Sequence, residues 1–304
     1  VRTGFSLPQF ATMDRQFDQI ARFAREAEAL GAGSLWVGDR VLAAVDPAVG
    51  YGGSTCKTIP PEMNSVLDPF VALSVAAAVT ETALLGTCTL IAPWYPPLLL
   101  ARSLSGIDVV SRGRLIAGLG IGWSLDEYEG VGVPWKERGA RLDECLDILE
   151  SIWTTAPVPR HDGPHHSIPA AHIGPKPVQS PRPPVYLSAL SPAAQRRAAR
   201  RADGVLPIAM VVPGGSYDPK AAVTAQLQQV RALAETQGRD PAEVDAILRI
   251  NAAPGTTPQN IADVIRHTED ETDVDHVFVD LGYLVDQSVD QALDLAGQVL
   301  ELSR

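Results

Sequence analysis

Three alternate glycines, Gly118, Gly120 and Gly122, close a short apolar run in "GRLIAGLGIGWSLDEYEGVGVPWKERG", and the acids Asp126, Glu127 and Glu129 follow. Two kinds of chemistry use glycine this way. A dinucleotide loop, G-x-G-x-x-G, lets backbone reach a pyrophosphate, but Trp123 stands where its third glycine would be. The lysine of a G-K-[ST] phosphate loop is absent too, and Gly130, Gly132 and Pro134 argue against a helix starting directly afterwards. The other reading is a strand end stripped of side chains, beside which a flat ring can lie, with Trp123 and Trp135 as walls. Relief of crowding where a strand turns outward fits the spacing equally well.

Other reactive residues narrow the classes. His161, His165, His166 and His172 lie in a Pro- and Gly-rich segment with no cysteine, which reads as a loop rather than a zinc site. No H-E-x-x-H or G-x-S-x-G sequence occurs, removing two common hydrolase routes. Cys56, Cys88 and Cys145 are odd in number and widely spaced, so a reduced, cytoplasmic protein is expected rather than a disulfide scaffold. Arg196, Arg197, Arg200 and Arg201 spread around a helix and read as a solvent-facing surface. A net charge of -11 disfavours nucleic acid and anionic membrane as partners. Neither a targeting segment nor an apolar run of about 18 residues is read, so no membrane span is expected.

The elements that must position these residues alternate. Thr3 to Leu7 reads as a strand, and "DRQFDQIARFAREAEALGAG" as a helix with Phe17, Ile20, Ala24 and Ala27 on one face and a stop at Gly31. "SLWVGD", "ALLGTCTL", "RLIAGL", "PPVYLSA", "GVLPIA", "VDAILRI" and "DHVFVDL" continue as strands. Helices are expected from Leu98 to Val110, along "ERGARLDECLDILESIW" and "SPAAQRRAARRA", from about Lys220 to Thr236, along "TPQNIADVIRHT", and at the C-terminus through Leu302. Eight strands, each with a helix or room for one, predict a closed (β/α)8 TIM barrel over residues 1–304, one domain with loop insertions at 40–65 and 154–183. The loops after the strands, including 40–65, belong to the catalytic face of such a fold.

The run from Gly113 through "ERGARLDECLDIL" resembles the signature region of the bacterial luciferase-like flavin monooxygenase superfamily, in particular its branch that uses the deazaflavin coenzyme F420. "FSLPQF", "EAEALGAGSLWVGDR", "LGTCTLIAPWYPPLLLARSLSGIDVVSRGRL", "GPKPVQSPRPPVYLSA" and "RRAARRADGVLP" agree in order. The resemblance implies an F420-dependent oxidoreductase moving hydride between deazaflavin C5 and an uncharged, small organic substrate. An FMN-dependent two-component monooxygenase with a separate reductase is the alternative, and a non-catalytic cofactor-binding paralogue a further one. A homodimer is implied as well.

Residue by residue, the resemblance places Asp39 near the ring, with Arg40 where relatives carry histidine. Arginine stays protonated and is a poor general acid or base, so an anion-holding or pocket-shaping role is expected of it. Thr87 and Cys88 match the segment where the family has a non-prolyl cis peptide behind the ring; Cys88 itself reads as packing. Ser188, Ala189, Leu190 and Ser191 match the turn that binds the coenzyme phosphate, and Ser191 with Pro192 makes a sound helix start. Gly120 and Ser124 complete the expected cofactor contacts. Trp94, Tyr95, Leu119, Ile121 and Trp123 are the expected pocket lining. Ile121 stands where sugar-phosphate dehydrogenases of the branch have glutamate, which disfavours that substrate.

Overall fold

The computed structural model describes residues 1–10, 17–283 and 288–304. Eight parallel strand segments alternate with helices, and several are split. They are β1 (Arg2–Ser6), β2 (Ser34–Val37), β3 (Leu84–Thr87) with β4 (Leu90–Ile91), and β5 (Leu115–Gly120). After a small antiparallel hairpin, β6 (His161–Asp162) with β7 (Ser167–Ile168), come β8 (Val185–Leu187), β9 (Gly204–Val205) with β10 (Ile208–Val211), β11 (Asp245–Ala246) with β12 (Leu248–Ala252), and β13 (His276–Asp280).

The hydrogen-bonded order is β10-β12-β13-β1-β2-β3-β5-β8-β9-β11, with β4 on β5. This path has two ends, β10 and β11, that do not pair with each other. The closed (β/α)8 barrel expected from the sequence is therefore corrected to an open, barrel-like parallel sheet. The physical cause lies at Leu206-Pro207 and Ile247, where the late strands break. Proline has no N–H to donate, so the regular ladder stops there, and only single bonds such as Ile247 N–H to Val205 O (3.0 Å) run past it.

Side chains alternate across the sheet. Trp36, Ile116, Tyr186, Leu206, Ile247 and Phe278 fill the concave side, and Trp36 stacks on Phe278 with ring centroids 4.4 Å apart. The opposite residues pack under the helices in a continuous core running from Phe5 to Leu300. Both faces are covered, which is why these strands read as nearly unbroken apolar runs.

The helices are α1 (Ile20–Leu30), α2 (Pro69–Val79), α3 (Pro97–Val110), α4 (Leu125–Gly130), α5 (Arg138–Thr154), α6 (Pro192–Arg201), α7 (Ala225–Thr236), α8 (Pro258–Glu271) and α9 (Val289–Leu302). Gly31 ends α1 in the left-handed region, as its position predicts. The expected start of that helix at Asp14 to Gln16 lies outside the described residues. Two helices escaped the pattern reading. The α2 sequence "PFVALSVAAAV" is apolar on nearly every face and shows no helical period. The α4 helix begins right after the glycines, capped by Ser124 Oγ on the Glu127 N–H, which corrects the expectation that none would start there. A serine cap followed by two acids in the first turn outweighs the glycines beyond.

Candidate active site

The C-terminal ends of the strands form the mouth, and its shape follows from β2, β3–β4 and β5. Gln9, fully buried beyond β1, donates from Nε2 to Gly38 O (2.9 Å) and accepts the Gly38 N–H at 2.8 Å. Both backbone groups of Gly38 are thus fixed, and Asp39 leaves β2 in one direction. Its carboxylate accepts the Ile91 N–H (2.8 Å) and the Tyr95 hydroxyl (2.9 and 3.0 Å). Burial nonetheless dominates and pushes the Asp39 carboxyl up to about 6, the two hydrogen bonds opposing it. Tyr95 is pushed far above the usual phenol range, first by burial and then by the adjacent carboxylate.

Arg40 turns back into the protein with its side chain only 7% exposed. One nitrogen, Nη2, donates to Leu42 O at 2.9 Å. Nε lies 3.4 Å from Glu127 Oε1 without hydrogen-bond geometry, and neither Nε nor Nη1 has a hydrogen-bond partner among the described residues. The guanidinium covers the Trp123 ring, Cζ 4.9 Å from its centroid, and Tyr51 meets the same indole edge-on at 5.4 Å. Glu127 also accepts the Val41 N–H at 3.0 Å, and burial raises its pKa. Glu127 is thus buried and ties the 40–65 loop to α4. Asp126 adds a second tie through the Ala48 N–H (3.1 Å).

The glycines have a specific cause. A Cβ on Gly118 would lie 1.8 Å from Thr87 O, one on Gly120 2.6 Å from Thr89 Oγ1, and one on Gly122 3.1 Å from Ile91 Cγ2. Each alternate glycine faces an alternate residue of the neighbouring β3–β4 segment. The space expected for a flat ring is thus largely taken by that segment, and close strand contact is what the glycines allow. Thr87 Oγ1 adds a reciprocal pair, donating to Gly118 O (2.7 Å) and accepting its N–H (2.9 Å). The cis peptide in this segment joins Cys88 and Thr89, one bond beyond the Thr87–Cys88 position expected. Cys88 is buried, and burial raises its thiol pKa, as packing predicts.

The remaining predicted residues divide. Trp94 is buried against Ile91 and Tyr128, its Nε1–H without a partner. Leu119 is fully buried under the helices, and Ile121 packs on that same core, so Leu119 does not join the mouth. In the turn after β8, Ser188 lies near Gly120, Ala189 is buried with its carbonyl accepting from Gln226 Nε2 (2.8 Å), and Leu190 is 68% exposed. Ser191 caps α6, accepting the Ala194 N–H at 3.3 Å. Three of the four arginines on α6 are not free surface: Arg197 and Arg200 pair with Asp143, and Arg201 with Asp147, all on α5. His161 pairs with Glu144, which also accepts the His165 and His166 amides, so this loop is tied to α5.

Sequence reasoning missed Gln9, Thr89 and a charged group on the late strands. Arg249 on β12 contacts Asn251, Asp280 at the end of β13, and Cys88 O across the concave side. The alternation of β12 and β13 carries the signal, because charged residues at inward positions break an apolar run.

The profile of the luciferase-like monooxygenases matches residues 3–298. The chain belongs to this family. Among curated relatives, phthiodiolone/phenolphthiodiolone dimycocerosates ketoreductase of Mycobacterium tuberculosis is 28% identical over 223 residues, 72% of this chain and 56% of that protein. The chain thus spans about half the length of that relative. The monooxygenase RslO1 from Streptomyces bottropensis superposes with a TM-score of 0.74 at 21% identity, over 99% of this chain and 98% of its own. An F420-dependent secondary alcohol dehydrogenase superposes at 0.72 with 16% identity over the same shares. At these identities the structural likeness speaks for the fold.

A flavin or deazaflavin presents a flat ring rimmed by acceptor atoms and a phosphate-bearing tail. The mouth residues fit such a group. Trp94 Nε1 is a buried donor without a partner among the described residues, and Gly120 gathers Thr89 and Ser188 with no side chain of its own.

Proposed function

We propose that this chain is an F420-dependent oxidoreductase that moves hydride between the deazaflavin C5 and an uncharged organic substrate. The observation that carries the reading is Asp39, a half-buried carboxyl at the end of β2, held by Ile91 and Tyr95 and pushed up to about 6 by desolvation. Such a group holds or releases a proton near neutral pH, which hydride transfer to or from an oxygen-bearing carbon requires. F420, when bound, supplies the two-electron hydride chemistry. Asp39, Thr87, Cys88, Gly120, Ser124 and Ser188 would border the ring, and Ala189, Leu190 and Ser191 the phosphate at the start of α6. Arg40, Trp94, Ile121 and Trp123 would wall the substrate. A homodimer belongs to the same proposal.

The second reading is an FMN-dependent monooxygenase served by a separate reductase, which membership of the luciferase-like monooxygenases leaves open. Anaerobic titration with F420 and with FMN, read by difference spectra and quenching of tryptophan emission, separates the two. F420 is expected to bind at least tenfold more tightly. Tight FMN binding with little F420 binding would reverse the order, and no binding of either would leave a non-catalytic paralogue.

A further inference from the structure

We infer that Arg40 reads the substrate and that the group it takes is a neutral carbonyl oxygen rather than a carboxylate. This rests on the mouth being the redox site proposed above. Arginine carries five N–H donors, and here a guanidinium only 7% exposed uses Nη2 alone in a hydrogen bond within the protein. Buried donors are satisfied in the great majority of cases, and an orphan keeps its full desolvation cost. Trp123 covers one face of the guanidinium and Leu42 O takes Nη2, so Nη1 is the terminal nitrogen that lacks a protein acceptor among the described residues. Trp123 and Tyr51, edge-on to one another, supply an apolar wall for the carbon skeleton of such a ligand.

Charge decides which acceptor. Glu127, its side chain 4% exposed, sits 3.4 Å from Arg40 Nε, and Asp39 is the preceding residue. The Arg40 cation therefore already has the Glu127 carboxylate beside it, and the pair holds no spare positive charge. A carboxylate ligand would add a further anion to a desolvated site and would be opposed. A ketone oxygen meets the orphan donors without adding charge.

The test titrates full-length protein with cyclohexanone, cyclohexanecarboxylate and methylcyclohexane, both cofactor-free and after addition of F420 or FMN. Binding is read from the arginine side-chain resonances of protein labelled with 15N-arginine, the Arg40 signal being assigned by its loss in Arg40→Lys. Cyclohexanone is expected to shift the Arg40 signal saturably and to bind more tightly than either analogue. Arg40→Lys, which keeps the charge and loses the fork, should weaken cyclohexanone by about ten- to a hundredfold, the range set by one hydrogen bond to a charged group. Arg40→Met combined with Glu127→Gln, which leaves no buried charge unpaired, should do the same with its thermal midpoint retained. Tighter binding of the carboxylate, or unchanged cyclohexanone affinity in Arg40→Lys, would overturn the inference. Failure of F420 and FMN to bind would count against the proposed function alone, because the cofactor-free titrations still decide the role of Arg40.

Discussion

Arg40 and Arg114 are both buried arginines beside the sheet, at opposite ends of it, and their surroundings differ. Arg114, just before β5, donates from Nε to Ser111 O, from Nη1 to Thr80 Oγ1 and Ala83 O, and from Nη2 to Ala77 O and Thr80 O. All three of its nitrogens are engaged with protein. Arg40, just beyond β2, makes one hydrogen bond and leaves two nitrogens without any. The N-terminal end of the sheet completes its polar bonding internally, while the C-terminal end keeps donors in reserve. Sheets of this kind place stability at the first end and chemistry at the second.

The comparison breaks most readily at the arginines themselves. Arg114→Met would strip donors from the carbonyls of Ala77, Thr80, Ala83 and Ser111, and an expected loss of roughly 3–5 kcal/mol follows for removing one side of a buried charged network. Arg40→Met with Glu127→Gln should cost less than about 1 kcal/mol, since few bonds are lost. Urea unfolding of the two variants checks this. Equal losses would mean that Arg40 is as structural as Arg114.

The glycines sharpen the boundary between the two ends. Gly118→Ala drives a Cβ to within 1.8 Å of the Thr87 carbonyl, a backbone atom that cannot step aside, and about 3 kcal/mol should be lost. Gly120→Ala meets the Thr89 hydroxyl at 2.6 Å, and a side chain can rotate away. A smaller loss, about 1 kcal/mol, with weakened cofactor binding is expected at Gly120. Thermal melts together with cofactor titration distinguish the two outcomes.

Asp39 gives the comparison a pH dependence. Its folded pKa, about 6, lies above the ordinary value of 3.8, so the folded protein binds this proton more tightly than the unfolded chain does. The resulting stabilisation is present in full below pH 4 and is lost as pH rises through 6. The difference is on the order of 3 kcal/mol. Asp39→Asn should flatten this component of the stability profile measured between pH 4.5 and 8. Tyr95→Phe, by removing a donor to the carboxylate, should move the transition to higher pH.

The strands and most helices were legible because burial on both faces writes apolar runs, and amphipathic helices write a period. The α2 helix was hidden because full burial erases that period, and the opening of the sheet was hidden because one proline in "GVLPIA" decides it. Asp39 and Arg40 were singled out through the family resemblance. Their chemistry was not, since the buried partners Ile91, Tyr95 and Glu127 come from three other segments that only the fold brings together. The ion pairs of Arg197, Arg200 and Arg201 were hidden for a related reason: Asp143 and Asp147 lie over forty residues earlier in the chain.

The smallest expected effect concerns Ser191, where a cap and an anion site compete as explanations for one hydroxyl. Its Oγ accepts the Ala194 N–H and so serves the helix already. Ser191→Ala should therefore cost about 1 kcal/mol, the usual loss for a cap. Ser191→Asp preserves the cap and suits the helix dipole, so stability should hold or rise slightly. The same aspartate places a negative charge where the phosphate of a cofactor is proposed to sit, and repulsion should weaken F420 or FMN by about tenfold. A stable Ser191→Asp protein that binds cofactor as tightly as the parent would show that this helix start is a capped terminus and nothing more, and would move the phosphate elsewhere on the mouth.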